Sequence, residues 1–122
     1  MSNGSNPLNI GAQGENFVAN WLREKKFVIK AKNYRKRYGE IDLIAQKDDL
    51  IIFVEVKSRK INYFDLGQVI VPSKQRKIIL TAKEYISTNH FVDKIFRFDV
   101  ALVKQKNDGN FDITYIPNAF TE

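Results

Sequence analysis

Ile10, Gly14, Phe17, Val18, Trp21 and Leu22 recur at the spacing of one helix face, and the pattern predicts a first helix from Leu8 to Lys25. Its basic end, Lys25-Lys26, suits the negative pole of the helix dipole. Met1 to Asn6, rich in Ser, Asn and Gly, reads as a leader, so the expected division is a flexible leader over residues 1–7 and one domain over 8–122. The pattern then changes to that of strands. Phe27 to Lys32 is short and β-rich, and it leads into a basic turn, Asn33-Tyr34-Arg35-Lys36-Arg37-Tyr38-Gly39. From Glu40 to Lys57, two β-branched runs flank the polar Lys47-Asp48-Asp49, which marks a hairpin. A second helix is predicted from Pro72-Ser73, with Ser73 as N-cap, to near Asn89; Ile78, Ile79, Ala82, Tyr85 and Ile86 form its apolar face. Strands over Ile95 to Val103 and Phe111 to Ile116 follow, joined across Asn107-Asp108-Gly109-Asn110. The order helix, three strands, helix, two strands gives an α/β fold, a mixed sheet flanked by helices on at least one face. No internal repeat or interdomain linker interrupts it.

Side chains alternate across a strand, so the hairpin places Glu40, Asp42 and Ile44 on one face of its first strand and Phe53, Glu55 and Lys57 on one face of its second. A two-residue turn at Asp48-Asp49 sets Asp42 opposite Glu55 and Glu40 opposite Lys57; a bulge would shift this. Two carboxylates facing each other across a ladder repel, and the repulsion grows with burial. A divalent cation removes it, because Mg²⁺ takes hard oxygen ligands and is commonly held by one or two carboxylates with water and phosphate oxygens. Lys57 is then placed to hold an attacking water or to stabilise charge developing on a phosphate. An aspartate followed by Glu-x-Lys on the adjacent strand is a minimal phosphodiesterase toolkit, whereas a lone Glu-x-Lys is common on any solvated strand face.

Composition narrows the classes. A chain of 122 residues with 43% hydrophobic content suits one domain with its own core. The absence of cysteine excludes disulfides, thiolate zinc sites and cysteine nucleophiles, and is compatible with a reducing cytosol. No apolar run approaches the roughly 20 residues that span a bilayer, and Met1 to Ile10 lacks the regions of a signal peptide, so a soluble, cytoplasmic protein is expected. The formal charge of +6 favours polyanions, and its placement is more telling than its size. Arg35, Lys36 and Arg37 stand between Tyr34 and Tyr38, as backbone contacts with neighbouring stacking platforms would; a solvated turn is the alternative. Lys74, Arg76 and Lys77 occupy the positive end of the second helix, where cations are disfavoured unless an anion binds there. Arg59 and Lys60 follow the Glu-x-Lys and track the same substrate or are loop charges. His90, the only histidine, falls near a helix end, where a dipole or capping role is ordinary.

Gly39-Glu-Ile-Asp-Leu-Ile-Ala45, followed by Phe53-Val-Glu-Val-Lys-Ser-Arg59, resembles the PD-(D/E)xK, or restriction-endonuclease-like, superfamily, whose core runs helix, three strands, helix, strand. Gly11-x-x-Gly14-Glu15, Asn33-Tyr34-Arg35, the Lys74 helix, Arg97-Phe98-Asp99-Val100 and Asn118-Ala119-Phe120 look like the bacterial YraN-like family of uncharacterised proteins, over essentially the whole chain. Glu15, Asp42, Glu55 and Lys57 are also similar, position by position, to the metal-binding and catalytic residues of archaeal Holliday-junction resolvases; Ile41 stands where the superfamily name puts proline. The resemblance implies a restriction-endonuclease-like sheet with element order αβββαββ. It also implies a metal-dependent endonuclease acting on DNA, branched or junction DNA included. On this reading Asp42, Glu55 and the Val56 carbonyl hold Mg²⁺ or Mn²⁺, Glu15 and Lys57 complete the catalytic set, and Arg35, Lys36, Arg37, Arg59, Lys74, Arg76 and Lys77 contact nucleic acid. One site cuts one strand, so double-strand or junction cleavage implies a homodimer. Glu15 has the alternative of an exposed helical carboxylate, Glu40 is outside the core site, and Arg97 with Asp99 reads as an ion pair positioning the last strands. Because this fold also hosts members without cleavage, a catalytically silent DNA-binding or scaffold module stays open beside the nuclease, with a protein-interaction adaptor as a third reading.

Overall fold

The computed structural model describes residues 9–60 and 69–122, so the expected leader and the start of the first helix at Leu8 lie outside the described residues. Helix α1 (Ile10–Glu24) is capped by Asn9, whose side chain accepts from the Ala12 N–H at 2.8 Å. Strands β1 (Val28–Lys36), β2 (Gly39–Lys47) and β3 (Leu50–Arg59) follow, then helix α2 (Pro72–Asn89) and strands β4 (Ile95–Gln105) and β5 (Phe111–Phe120). They form one mixed sheet in the order β1-β2-β3-β4-β5, with β3 parallel to β4 and the other neighbours antiparallel. The expected α/β architecture and element order are those observed.

The two helices cover opposite faces. Val18, Ala19 and Leu22 of α1 pack with Leu43, Ala45, Ile52, Val54, Ala101 and Val103, while Ile78, Ala82 and Tyr85 of α2 pack with Ile41, Ile44, Ile51, Phe53, Val100 and Leu102. Strand β3 is therefore buried on both sides, which is why Ile51 to Val54 form an unbroken apolar run instead of alternating with polar residues.

Three local expectations are corrected. The first strand does not stop at Lys32; it continues through Lys36, and only Arg37-Tyr38 turn before Gly39. The N-cap of α2 is Val71 rather than Ser73, with no side-chain cap bond, because Pro72, whose fixed φ suits the first helical position, starts the helix. The last strand runs on to Phe120, past Asn118 in the left-handed region at φ 51. His90 is the C-cap of α2, also left-handed at φ 53, in keeping with the capping role expected of it. Arg97 and Asp99 do pair, at 2.8 and 2.9 Å, and the fully buried Asp99 also accepts from the Tyr115 hydroxyl at 2.5 Å and the Asn118 N–H at 2.9 Å, which fastens β5 to β4.

The hairpin has the register set by Asp48-Asp49, from Lys47 opposite Leu50 to Leu43 opposite Val54, with Asp48 at φ 54. There the ladder ends. Asp42 and Glu55, and Glu40 and Lys57, are beyond its last rung. Strict alternation also fails at this level: Ile41 and Ile44 both face α2 while Leu43 faces α1, and Ala31 and Tyr34 likewise both face α2. Residues three apart cannot share a face of a regular strand, so both strands change face at Asn33 and Asp42. Asn33, left-handed at φ 51, supplies the kink, a conformation that Asn tolerates better than most residues.

Two glycines bring the helices close to this kink. A Cβ at Gly14 of α1 would lie 1.8 Å from Ser58 Oγ and 3.0 Å from Ser58 Cβ, and one at Gly39 would lie 3.2 Å from Lys77 Cβ of α2. Gly14→Ala is therefore expected to push α1 off β3 and lower stability by about 1–3 kcal/mol, the usual cost of overpacking, despite alanine's better helix propensity. Urea unfolding of the two proteins measures this; a stabilised variant would mean that the helix–strand contact is looser than described.

Candidate active site

The end of the β2–β3 ladder opens a cleft of about 420 Å³, lined by Glu40, Asp42, Glu55, Ser73, Lys74 and Lys77 among others. β2 supplies Asp42, β3 supplies Glu55 and the first turns of α2 supply the lysines. Val54 and Val56 face α1, so the intervening Glu55 points to the α2 side, where it is buried at 8% exposure. Asp42 is held from two directions: Oδ2 accepts from the Val56 N–H at 2.8 Å, and its carboxyl is hydrogen-bonded to that of Glu55. Burial, then the hydrogen bond and charge of Glu55, push Asp42 up to about 9, so it keeps a proton that an exposed aspartate would lose. The second compensation is Lys74, whose Nζ is 2.6 Å from Glu55 Oε2.

Glu15 reaches the same region from α1. The amide of Asn33, oriented as its two acceptors require, donates to Glu15 Oε1 at 3.1 Å and to Glu40 Oε1 at 3.0 Å. Burial and the neighbouring Glu40 and Glu55 raise the pKa of Glu15, with the Asn33 hydrogen bond opposing them. Asn33 is thus a residue that the sequence placed in a turn and in a family-like motif, without a role at the site. Its signal was an asparagine amid strand-forming residues, where a left-handed kink is available to few other side chains.

The other expected residues divide. Lys57 shares the α2 face with Glu55, half-buried and with no ion pair among the described residues, but it does not line the 420 Å³ cleft. Glu40 does not pair with Lys57; it binds Arg35, at 2.6 Å from Nη2 and 3.2 Å from Nε, because Arg35 and Glu40 are opposite across β1–β2. Lys36 lies over the Tyr34 ring and Arg37 over that of the exposed Tyr38. Lys77 lines the cleft with Lys74, whereas Arg76 opens onto a separate depression with Gln75, Leu80 and Glu122. Arg59 ends β3, half-buried.

The donor set suits a small hard cation better than a soft one. Among the described residues no group of three or more His, Cys, Asp or Glu side chains is gathered as a cage. Asp42 and Glu55 are two oxygen donors beside open volume, and Mg²⁺ commonly takes one or two carboxylates and completes its shell with water and substrate oxygens. The orphan here is charge: a buried and a half-buried carboxylate balanced by one proton and one lysine. No helix among the described residues is long and apolar enough to cross a membrane.

The profile of the uncharacterised protein family UPF0102 matches residues 14–103, a span that includes Glu15, Asn33, Asp42, Glu55, Lys57 and Lys74. A UPF0102 protein of Treponema pallidum (strain Nichols) is 38% identical over 117 residues, covering 93% of each chain. One from Dictyoglomus thermophilum is 38% identical over 117 residues, 94% of this chain and 99% of its own. One from Syntrophus aciditrophicus is 42% identical over 103 residues, 84% and 81% respectively.

Asparagine at position 42 mimics the protonated aspartate, accepting from Val56 and donating to Glu55. Because the folded-state pKa of Asp42 is raised from 3.8 to about 9, its stabilising contribution is complete below the lower value and is lost as pH rises toward the upper one. Asp42→Asn should therefore match the parent near about pH 4 and become progressively more stable than it toward about pH 8.5 in metal-free buffer. Added Mn²⁺ should raise the melting temperature of the parent, more at high pH than at low because the ion displaces a proton, and should leave the variant nearly unmoved. Thermal melts at both pH values read all of this. A severe loss of apo stability in Asp42→Asn, or equal Mn²⁺ shifts in both proteins, would remove the charge-balance account.

Proposed function

The chain belongs to the UPF0102 family, and from that premise we propose that it is a Mg²⁺- or Mn²⁺-dependent endonuclease that hydrolyses phosphodiesters in DNA, branched or junction DNA included. The observation that carries the reading is the hydrogen-bonded pair of a buried Glu55 and a half-buried Asp42 at the edge of a lysine-walled cleft. Asp42, Glu55 and the Val56 carbonyl would hold the ion, which would polarise the phosphate and ease deprotonation of water. The chain's own groups do the rest. Lys57 orients the water or stabilises the charge that develops on the phosphate, and Glu15, bridged through Asn33 to Glu40 at the rim of the cleft, fixes that end of the site. Lys77 and Lys74 receive the backbone phosphate, with Lys36, Arg37, Arg35, Arg59 and Arg76 as flanking contacts. Cleavage of both strands of a duplex or junction requires two such sites, hence a homodimer. The cytoplasm is the compartment proposed for it, in keeping with a cysteine-free chain.

A second reading is a silent DNA-binding or scaffold module. It is favoured by one arrangement, in which Lys74 already neutralises Glu55 and Lys57 stands outside the cleft lining.

Incubation with Mn²⁺ and a panel of duplex, single-strand, flap, fork and four-way DNA, with RNA for comparison, separates the two. The nuclease reading expects metal-dependent scission of at least one substrate and its loss, by about 100-fold or more, in a folded Lys57→Ala that keeps most DNA affinity. Full activity in that variant would exclude the role given to Lys57, and no scission of any substrate would leave the binding module. Affinity should also fall steeply with salt, and Lys77→Ala should reduce the slope of log K against log salt by about 0.9. Binding insensitive to salt would contradict any phosphate-backbone assignment.

A further inference from the structure

We infer that Lys74 is a latch that couples cation binding to phosphate binding: it occupies Glu55 while the metal site is vacant and is released toward the substrate phosphate when a divalent ion takes that carboxylate. The inference rests on the reading of Asp42 and Glu55 as metal ligands and adds a regulation of that site.

Its basis is the geometry of one carboxylate with two claimants. Glu55 is almost wholly buried, and its Oε2 is 2.6 Å from Lys74 Nζ, while its carboxyl is also hydrogen-bonded to Asp42. A cation binding both carboxylates needs the space and the charge that the ammonium now supplies, because two positive groups cannot share a buried oxygen without strong repulsion. Lys74 has somewhere to go. Its side chain is 41% exposed at the mouth of the cleft, on the first turn of α2, next to Lys77 and Ser73, and it is long enough to turn from Glu55 into open volume. Once displaced, it stands at the positive end of a helix beside a second lysine, an arrangement that repels itself unless an anion lies between. Cation arrival therefore creates the vacancy for a phosphate, and a phosphate that captures Lys74 clears Glu55 for the cation. Linkage makes the two effects equal in size.

Lys77 is the natural comparator. It lines the same cleft and carries the same charge, but no bond to Glu55 is formed by it. Any general electrostatic effect of removing a nearby cation should be common to both lysines, while competition for Glu55 belongs to Lys74.

Isothermal titration of Mn²⁺ into the full chain, alone and saturated with a short DNA duplex in a cleavage-incompetent Lys57→Ala background, tests this. In that background DNA should tighten Mn²⁺ binding roughly fivefold or more, and Mn²⁺ should tighten DNA binding by the same factor. Lys74→Met and Lys74→Gln should each bind Mn²⁺ more tightly than either the Lys57→Ala background or its Lys77→Met derivative, with the coupling factor falling toward one. Two Lys74 variants are used so that misfolding of one does not decide the matter. Unchanged or weaker Mn²⁺ binding in a folded Lys74 variant, or an undiminished coupling factor, would overturn the latch while leaving intact a metal site that Asp42→Asn abolishes. No Mn²⁺ binding by the parent chain would overturn the metal reading and the latch together.

Discussion

Two carboxyl groups, those of the half-buried Asp42 and the buried Glu55, are brought to hydrogen-bonding contact, and the surrounding structure is arranged to make that tolerable. Ionised together in a medium less polar than water they would repel strongly, so the folded chain supplies a proton on Asp42, the Val56 N–H as donor and Lys74 as counter-ion. The arrangement is the kind of local inconsistency that functional sites retain.

The contact depends on a departure from regular sheet geometry. Had the β2–β3 ladder continued past Leu43 and Val54, Asp42 and Glu55 would be side-by-side on a closed surface with no room between strand and helix. Instead Asn33 kinks β1, the paired segment of β2 changes face at Asp42, and the two strands of the hairpin part. The opening is roofed closely on both sides because Gly14 lets α1 approach where a side chain would not fit and Gly39 lets α2 approach where one would be tight. Glu15 on α1 and Lys74 on α2 are in reach of the pair for that reason, although the helices lie on opposite faces of the sheet.

Much of this was legible in the sequence. The αβββαββ order followed from periodicity, and Asp48-Asp49 fixed the hairpin register because a two-residue turn leaves only one pairing that buries the apolar faces. That register predicts Asp42 near Glu55, although the ladder itself ends one rung short of them. What escaped were features that depend on the neighbours of a residue in space. β1 read as a turn after Lys32 because an edge strand has one side in water and carries Lys and Arg where a central strand carries Val and Ile. The Asn33 kink depends on a single backbone angle, and the Lys74–Glu55 pair joins a strand to a helix that the sequence does not place against it. Lys74, Arg76 and Lys77 looked equivalent as a cluster, yet the helix turns Lys74 and Lys77 into the cleft and Arg76 away from it, a separation that the 3.6-residue period contains but that requires knowing which face packs on the sheet.

The central claim is that the Asp42–Glu55 pair is built to exchange its proton and its lysine for a divalent ion. Crystals soaked in Mn²⁺ and measured for anomalous scattering test it most directly. The account predicts one strong peak within bonding distance of carboxylate oxygens from both residues, with Lys74 Nζ withdrawn from Glu55. A crystal saturated with Mn²⁺ whose only peaks lie elsewhere, with Lys74 still on Glu55 and Asp42 still on the Val56 N–H, would contradict it.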